Sequence, residues 1–486
     1  MYSMTTTSTT PSPRAGRPRA GDPRGGHSQR WLILGVICLA QLTVLLDNTI
    51  LNVAIPSLTE ELDATTSDIQ WMINAYSLVQ SGLLLTAGSA ADRYGRKKML
   101  VTGLALFGTG SLVAGLADTS GELIAARAGM GVGGALLLTT TLAVVMQIFT
   151  SEEQPKAIGI WAAVNALGFA TGPLIGGFML NHFWWGAIFL INLPVVALAL
   201  GAVIALVPES KNPRGDRPDL LGALLSTIGM ASLVLAIISG PAHGWTSARV
   251  LVSAAVAAVV LTVFAWWESR IPHPMLDLAF FRDRRFAGAV GGAVLITFGM
   301  GGALFLLTQH LQFVLGYGPL EAGLRTAPLA LTVVALNFSG VAPKLTAKLG
   351  TPVAVMASMV VMAAGLVSIA TTGDGYTGTA IGLVLIGVGC AVANPAMAHA
   401  IMSAIPPAKA GVGAGINGTL AEFGNGLGVA VLGAVLSSSV ASGKSLSAGL
   451  GAGQLVGAVA VLAGGLVAAG LLRRAERQKE PPAPAT

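Results

Sequence analysis

Apolar residues run through this chain in long blocks, not in the alternating or one-faced patterns of a water-soluble fold. From Trp31 onward about fourteen such blocks approach the ~20 residues that a helix needs to cross a bilayer core. The pattern predicts spans near 31–52, 70–91, 99–117, 122–148, 157–180 and 186–207, then two more at 219–239 and 249–267. Six last spans follow near 287–314, 321–342, 351–371, 378–402, 410–436 and 451–472. Residues 1–30 are rich in Thr, Pro, Gly and Arg and hold too little apolar surface for a core, so a disordered tail is expected. The apolar run after it is too long for a cleaved leader, carries Asp47 and lacks a small-x-small cleavage site.

Composition strengthens this picture. The chain is 53% hydrophobic and only 10% charged, against about 25% charged in soluble domains. Its 63 glycines suit helices that pack on small residues in lipid. Cys38 and Cys390, both in apolar blocks, offer no disulfide framework and no metal site. The net charge of +6 is better read as membrane topology than as nucleic-acid binding, because the bases sit in short loops between blocks. With the N-terminus inside, the 28 bases fall on the inner side and in the two tails, apart from Arg249, Arg325 and Lys444 outside and Arg127 within a block. Both termini are therefore expected in the cytoplasm of a multi-pass cell-membrane protein.

A faint repeat gives the internal plan. Gly168-x-x-x-Gly172 is echoed by Gly424-x-x-x-Gly428, and the inner loop GSAADRYGRKK is echoed weakly by GVAPKLTAKLG. Two six-helix bundles, 31–207 and 287–472, with an inserted helix pair and its linkers at 208–286, place both echoes in register; a tail at 473–486 closes the chain.

Gly168 to Gly177 reads G-F-A-T-G-P-L-I-G-G. Gly168, Gly172 and Gly176 form one bare ridge, Gly177 adjoins it, and Pro173 bends the helix there. A ridge of this kind is by itself a packing seam. The full string resembles the fifth-helix antiporter motif of major facilitator exporters. The loop Gly88–Lys98 brings Asp92, Arg93 and Arg96 together, with Gly88 and Gly95 permitting a tight turn. Bases alone would make a topology anchor. The string with its aspartate resembles the superfamily loop in which aspartate and arginine latch against the other half. In the first block, L-D-N-T-I-L-N-V-A-I-P resembles the first-helix motif of the fourteen-helix drug:proton antiporters. Insertion of Asp47 costs about 2.5–3.5 kcal/mol, so a partner or a proton is expected, or a wet cavity beside it.

Arg127 lies about two turns into a block that runs inward, and Asp47 one to two turns before the outer end of a block that runs outward, so both reach similar depth at ~1.5 Å per residue. The surrounding L-I-A-A-R-A-G-M-G-V-G-G-A resembles the family's fourth-helix motif, which usually has glutamine where Met130 stands. Glu422 is a second intramembrane acid, a candidate for protons or substrate or else a structural polar contact. Asn48, Tyr76, Gln80, Asn165, Gln309, His310, Asn394 and Asn417 are candidates for a substrate cavity or for helix–helix hydrogen bonds. No phosphate loop, zinc motif or nucleophile elbow occurs in the sequence. The resemblance implies an all-α major facilitator fold of fourteen membrane helices and no enzyme activity. It further implies efflux of a small amphipathic drug or self-made antibiotic, powered by protons without a cofactor, by a monomer. Uptake by proton symport, or a transport-inactive sensor, are the alternatives on the same fold.

Overall fold

The computed structural model describes residues 29–150, 152–211, 218–272, 274–371, 375–403, 405 and 410–477. The tail 1–28, the end of the closing tail from 478, and Arg214, Arg217 and Lys409 lie outside these. In order the helices are α1 (Arg30–Val53), α2 (Ile55–Glu61), α3 (Thr66–Tyr94), α4 (Arg96–Gly115), α5 (Ser120–Ile148) and α6 (Gln154–His182). They continue with α7 (Ala187–Leu190), α8 (Asn192–Leu206), α9 (Leu220–His243), α10 (Ala248–Glu268), α11 (Arg284–Gln309) and α12 (Pro319–Arg325). The last are α13 (Ala327–Phe338), α14 (Val341–Leu349), α15 (Thr351–Thr371), α16 (Tyr376–Ser403), α17 (Ala410–Ala441) and α18 (Leu446–Arg477). No strand occurs among the described residues.

Local chemistry sets many of the starts. Thr65 and Asp68 exchange side-chain and backbone hydrogen bonds in a capping box that opens α3. Thr119, Asp219 and Ser247 accept from the third residue beyond them and open α5, α9 and α10 in the same way. Two of the expected spans each form one membrane-length segment, Ala187–Leu206 and Pro319–Asn337, made of two helices with a single residue between them. The span expected at 321–342 becomes α12 and α13 around Thr326, and that at 186–207 becomes α7 and α8 around Ile191. Gly88 is not part of the turn after α3: it lies inside that helix with open space beside it. The turn belongs to Gly95, whose φ of 119° is open only to glycine. Before α11 a short 3-10 turn forms at Leu278–Arg282, with Phe280 and Phe281 packed on Phe286.

Twelve helical segments among the described residues are long and apolar enough to cross a membrane. The 29-residue helices α3 and α6 are not in that set. In α3 the reason is visible: Gln70, Asn74, Ser77, Gln80 and Ser81 are buried in it, facing protein on every side instead of lipid. By contrast Leu198, Ile204, Leu251, Val259, Val459 and Val467 are exposed, a belt that would be costly in water and is natural in hydrocarbon.

Glycine ridges carry the closest packing. Methyl groups added at Gly168, Gly172 and Gly176 would meet Leu45, Thr49 and Ile50 of α1. Those added at Gly424 and Gly428 would meet Val294 and Phe298 of α11, and Gly302 faces the Gly428 carbonyl in return. The echo seen in the sequence is thus an echo of packing: α6 lies on α1 as α17 lies on α11. Two seams join these groups. Along one, Gln70 of α3 donates to the Val429 and Ala430 carbonyls of α17, each at 3.0 Å. Along the other, Gly177 of α6 touches Pro319 and Leu320 of α12, and Gly323 of α12 rests on the Pro173 carbonyl. The hairpin α9–α10 packs against α3 and α17 through Met230, Val234, Ile238, Leu78 and Ala430.

Leucine at position 428 would force α17 off the Phe298 carbonyl and Gly302. Gly428→Leu should lower the thermal unfolding midpoint in mild detergent, through an overpacking cost of about 1–3 kcal/mol. An unchanged midpoint would mean that α11 and α17 are free to separate.

Candidate functional site

Arg127 and Asp47 meet in an ion pair between α5 and α1, with Nη1 on Oδ2 and both residues almost wholly buried. The guanidinium is held from two further directions. Its Nε donates to the Met72 carbonyl of α3 at 3.1 Å, and its plane lies 4.3 Å from the centre of the Tyr76 ring. One cation therefore ties α1, α3 and α5 together. A planar guanidinium can stack, fork and donate at once, which lysine cannot.

The glycines after Arg127 explain how α5 comes so close. A methyl at Gly131 would sit 2.6 Å from the Tyr76 carbonyl, and one at Gly134 would strike the Tyr76 hydroxyl and the Gln80 amide. Gly133 does the same toward α4, against Phe107 and Gly103. Met130 also turns to α4, where it packs under Gly110 with its sulfur 4.0 Å from Ser111. The glutamine that usually stands there would thus face α4 and not the ion pair.

Glu422 approaches from α17. Its carboxylate lies within hydrogen-bonding reach of Ser77, next to Tyr76, and its Oε2 is enclosed with no hydrogen-bond partner among the described residues. Tyr76 lies within electrostatic range of Asp47, Arg127 and Glu422 together. Around it, Asn74 Oδ1 and both amide atoms of Gln80 are buried without hydrogen bonds among the described residues. Gly426 of α17 lies against Asn74. The result is a buried, polar face on α3 with a carboxylate on each side. Such a face can hold or pass a proton, and can bind a polar or cationic group.

The remaining candidates scatter. Gln309 donates to the Phe305 carbonyl of its own helix at 3.1 Å, and His310 is buried where α11 passes into a π turn. Asn48 and Asn417 are half-buried and Asn394 is exposed. The Asn165 side chain lies outside the described residues. At the loop, Arg96 pairs with Asp92 at 2.8 Å across the Gly95 break and donates to the Ala143 carbonyl of α5. Glu209 is a residue that motif reading missed: it accepts from the Lys97 and Lys98 amides and so caps α4. Gly95 leaves the room for it, since a methyl there would lie 2.7 Å from its carboxylate. Met72 and Ser77 were missed too, because a backbone carbonyl and a serine carry no pattern of their own.

The family model described as Major Facilitator Superfamily matches residues 37–429. The chain belongs to the Major Facilitator Superfamily. Its sequence is 36% identical over 395 residues to the "Multidrug resistance protein Stp" of Mycobacterium tuberculosis (strain CDC 1551 / Oshkosh), covering 81% of this chain and 73% of that one. It is 34% identical to the "Multidrug efflux pump LfrA" of Mycolicibacterium smegmatis (strain ATCC 700084 / mc(2)155), covering 91% and 89%. Among solved structures, the peptide-transporter-family protein PepTSo superposes with a TM-score of 0.68 at 14% identity, over 92% of this chain and 99% of that one; that likeness carries the fold. As a superfamily member the protein is a multi-pass membrane transporter and not an enzyme.

In this superfamily member, removing one charge strands the other in a dry site. Arg127→Gln alone should lower stability by about 3–5 kcal/mol, and adding Asp47→Asn should restore much of it. Unfolding of the two single variants and the double variant in mild detergent measures the coupling. Strict additivity would show that the pair contributes nothing as a pair.

Proposed function

We propose that this superfamily member exports small amphipathic compounds across the cell membrane in exchange for protons, by alternating access of two six-helix halves. The reading draws on relatives named for multidrug resistance and multidrug efflux, and the observation that carries it is the buried Asp47–Arg127 pair. The spans number fourteen, counting α3 and α6 with the twelve that are apolar enough by themselves. The inserted pair α9–α10 keeps the second half the same way up as the first, with both termini cytoplasmic. A single chain is the working unit.

The pair works as a switch. While Arg127 stays on Asp47, the carboxylate is ionised and α1, α3 and α5 are locked. A proton on Asp47 removes the attraction and frees α1 from α5, and the glycine ridge of α6 follows because it lies on Leu45, Thr49 and Ile50 of the same α1. The ridge's other neighbour, α12, belongs to the second half, so a change at Asp47 reaches the seam that must open. Glu422, across the chamber beside Ser77, takes the cationic or hydrogen-bonding part of the cargo or a second proton. Asp92 and Arg96 hold the inner loop in shape, and with Arg93 that loop bears on the second half when the chamber faces outward.

Asp47→Asn mimics the protonated state permanently. In everted vesicles, pH-driven accumulation of a cationic dye should fall by at least about tenfold, while downhill exchange persists. Pumping at the wild-type rate would remove Asp47 from the coupling step, and proton movement in the same direction as the dye would make the protein a symporter.

Asp92→Asn deletes one side of the loop contact and should shift the population toward inward-facing states. Distances between spin labels on the outer ends of α6 and α12 should shorten on average. An unchanged distribution would leave the loop as a topology anchor only.

A further inference from the structure

We propose that a groove at the outer end of the α9–α17 seam binds an anionic phospholipid, with an acyl chain in the groove and the headgroup on Arg249 and Lys444. The cavity has a volume of about 450 Å³ and is walled by Ile237, Trp245, Val431, Ala434 and Val435, with a row of serines along the α17 side. Ile238 and Ala430, next to the lining residues Ile237 and Val431 in the chain, pack with Met230, Val234 and Leu78. One wall is made by Trp245, whose ring folds back over Gly240, 2.6 Å from where a β-carbon would stand. The segment from Val431 to the end of α17 rises about 15 Å, half of a ~30 Å hydrocarbon core, so the groove occupies one leaflet. Trp245 then sits at headgroup level, where tryptophan is favoured.

Charge identifies the occupant. The chain keeps only three bases on this side of the membrane, a placement that rests on the orientation proposed above. Arg325 is already engaged, paired with Glu321 and stacked between Tyr317 and Tyr376. The other two come close in the chain to residues that line the groove, Trp245 and Ser442. Arg249, the second residue of α10, comes four residues after Trp245 in the chain, is exposed, and contacts His243 Nε2 at 3.1 Å. Lys444 stands two residues beyond Ser442, which lines the groove, with its amide on the Ser439 carbonyl at 3.2 Å. Neither makes a salt bridge with a carboxylate among the described residues. An apolar slot with unpaired cations at its mouth repels a cationic drug and suits a lipid phosphate. The two helices it would bridge are the inserted α9 and the Glu422-bearing α17, so a bound lipid would brace the hairpin against the mobile seam.

The test uses the full chain, purified in mild detergent, equilibrated with an equal mixture of phosphatidylglycerol and phosphatidylcholine and analysed by native mass spectrometry. Retained phosphatidylglycerol should exceed phosphatidylcholine by about tenfold or more. The double variant Arg249→Ala/Lys444→Ala should erase that preference, and Arg325→Ala should leave it. Ala434→Trp, which fills the groove, should remove retention of either lipid. Equal retention of the two lipids, or an undiminished preference in the double variant, would overturn the site. So would capture of an exported compound in place of phospholipid. Because the readout needs no transport, its failure leaves the efflux reading untouched, and a transport failure leaves this site untouched.

Discussion

A guanidinium in the middle of a helix bundle constrains everything near it. Arg127 has five donors and a full charge, and in a dry interior each must find a partner. It takes the carboxylate of α1, a carbonyl of α3 and the ring of Tyr76 on the same helix. Those contacts require α5 to lie almost backbone to backbone on α3, and Gly131 and Gly134 are what make that approach possible. The first helices of the chain are thus arranged around one side chain.

Close approach without side chains is the second constraint. The hydrophobic effect drives little between helices in hydrocarbon, so contact rests on packing of small residues and on hydrogen bonds. The two ridges, Gly168–Gly176 and Gly424–Gly428, seat α6 on α1 and α17 on α11. Each ridge-bearing helix then presents another face to a seam: α6 to α12, α17 to α3. The ridges thus hold helices within a group and the seams hold one group to the other, the two kinds of contact on which the proposed alternating access would act. The α9–α10 hairpin lies on the α3–α17 seam and touches both helices.

Much of this plan is legible in the sequence, for physical reasons that act locally. Hydrocarbon thickness sets the block length, so most helices appear where apolar runs occur. Insertion cost marks Asp47, Arg127 and Glu422 individually, and helix rise alone brings Asp47 and Arg127 to one depth. Capping residues such as Thr65 and Asp219 mark helix starts because they satisfy amides a few residues away. The family resemblance adds function to these positions but rests on the same residues.

What tertiary structure decided is which groups meet and which way each side chain turns. No pattern within one helix shows that Met72 offers its carbonyl, that Ser77 faces Glu422, or that Glu209 comes back across the chain to cap α4. Periodicity could not show that Met130 faces α4 or that Gly88 stays inside α3, since a helix turns by less than a third of a circle per residue and its neighbours choose the face. Nor could composition show that Trp245 and Ser442, some two hundred residues apart in the chain, line one groove. The sequence by itself determined the medium, the elements and the charges. The packing of helices against one another decided the pairings, because a buried charge accepts any partner the fold brings within reach.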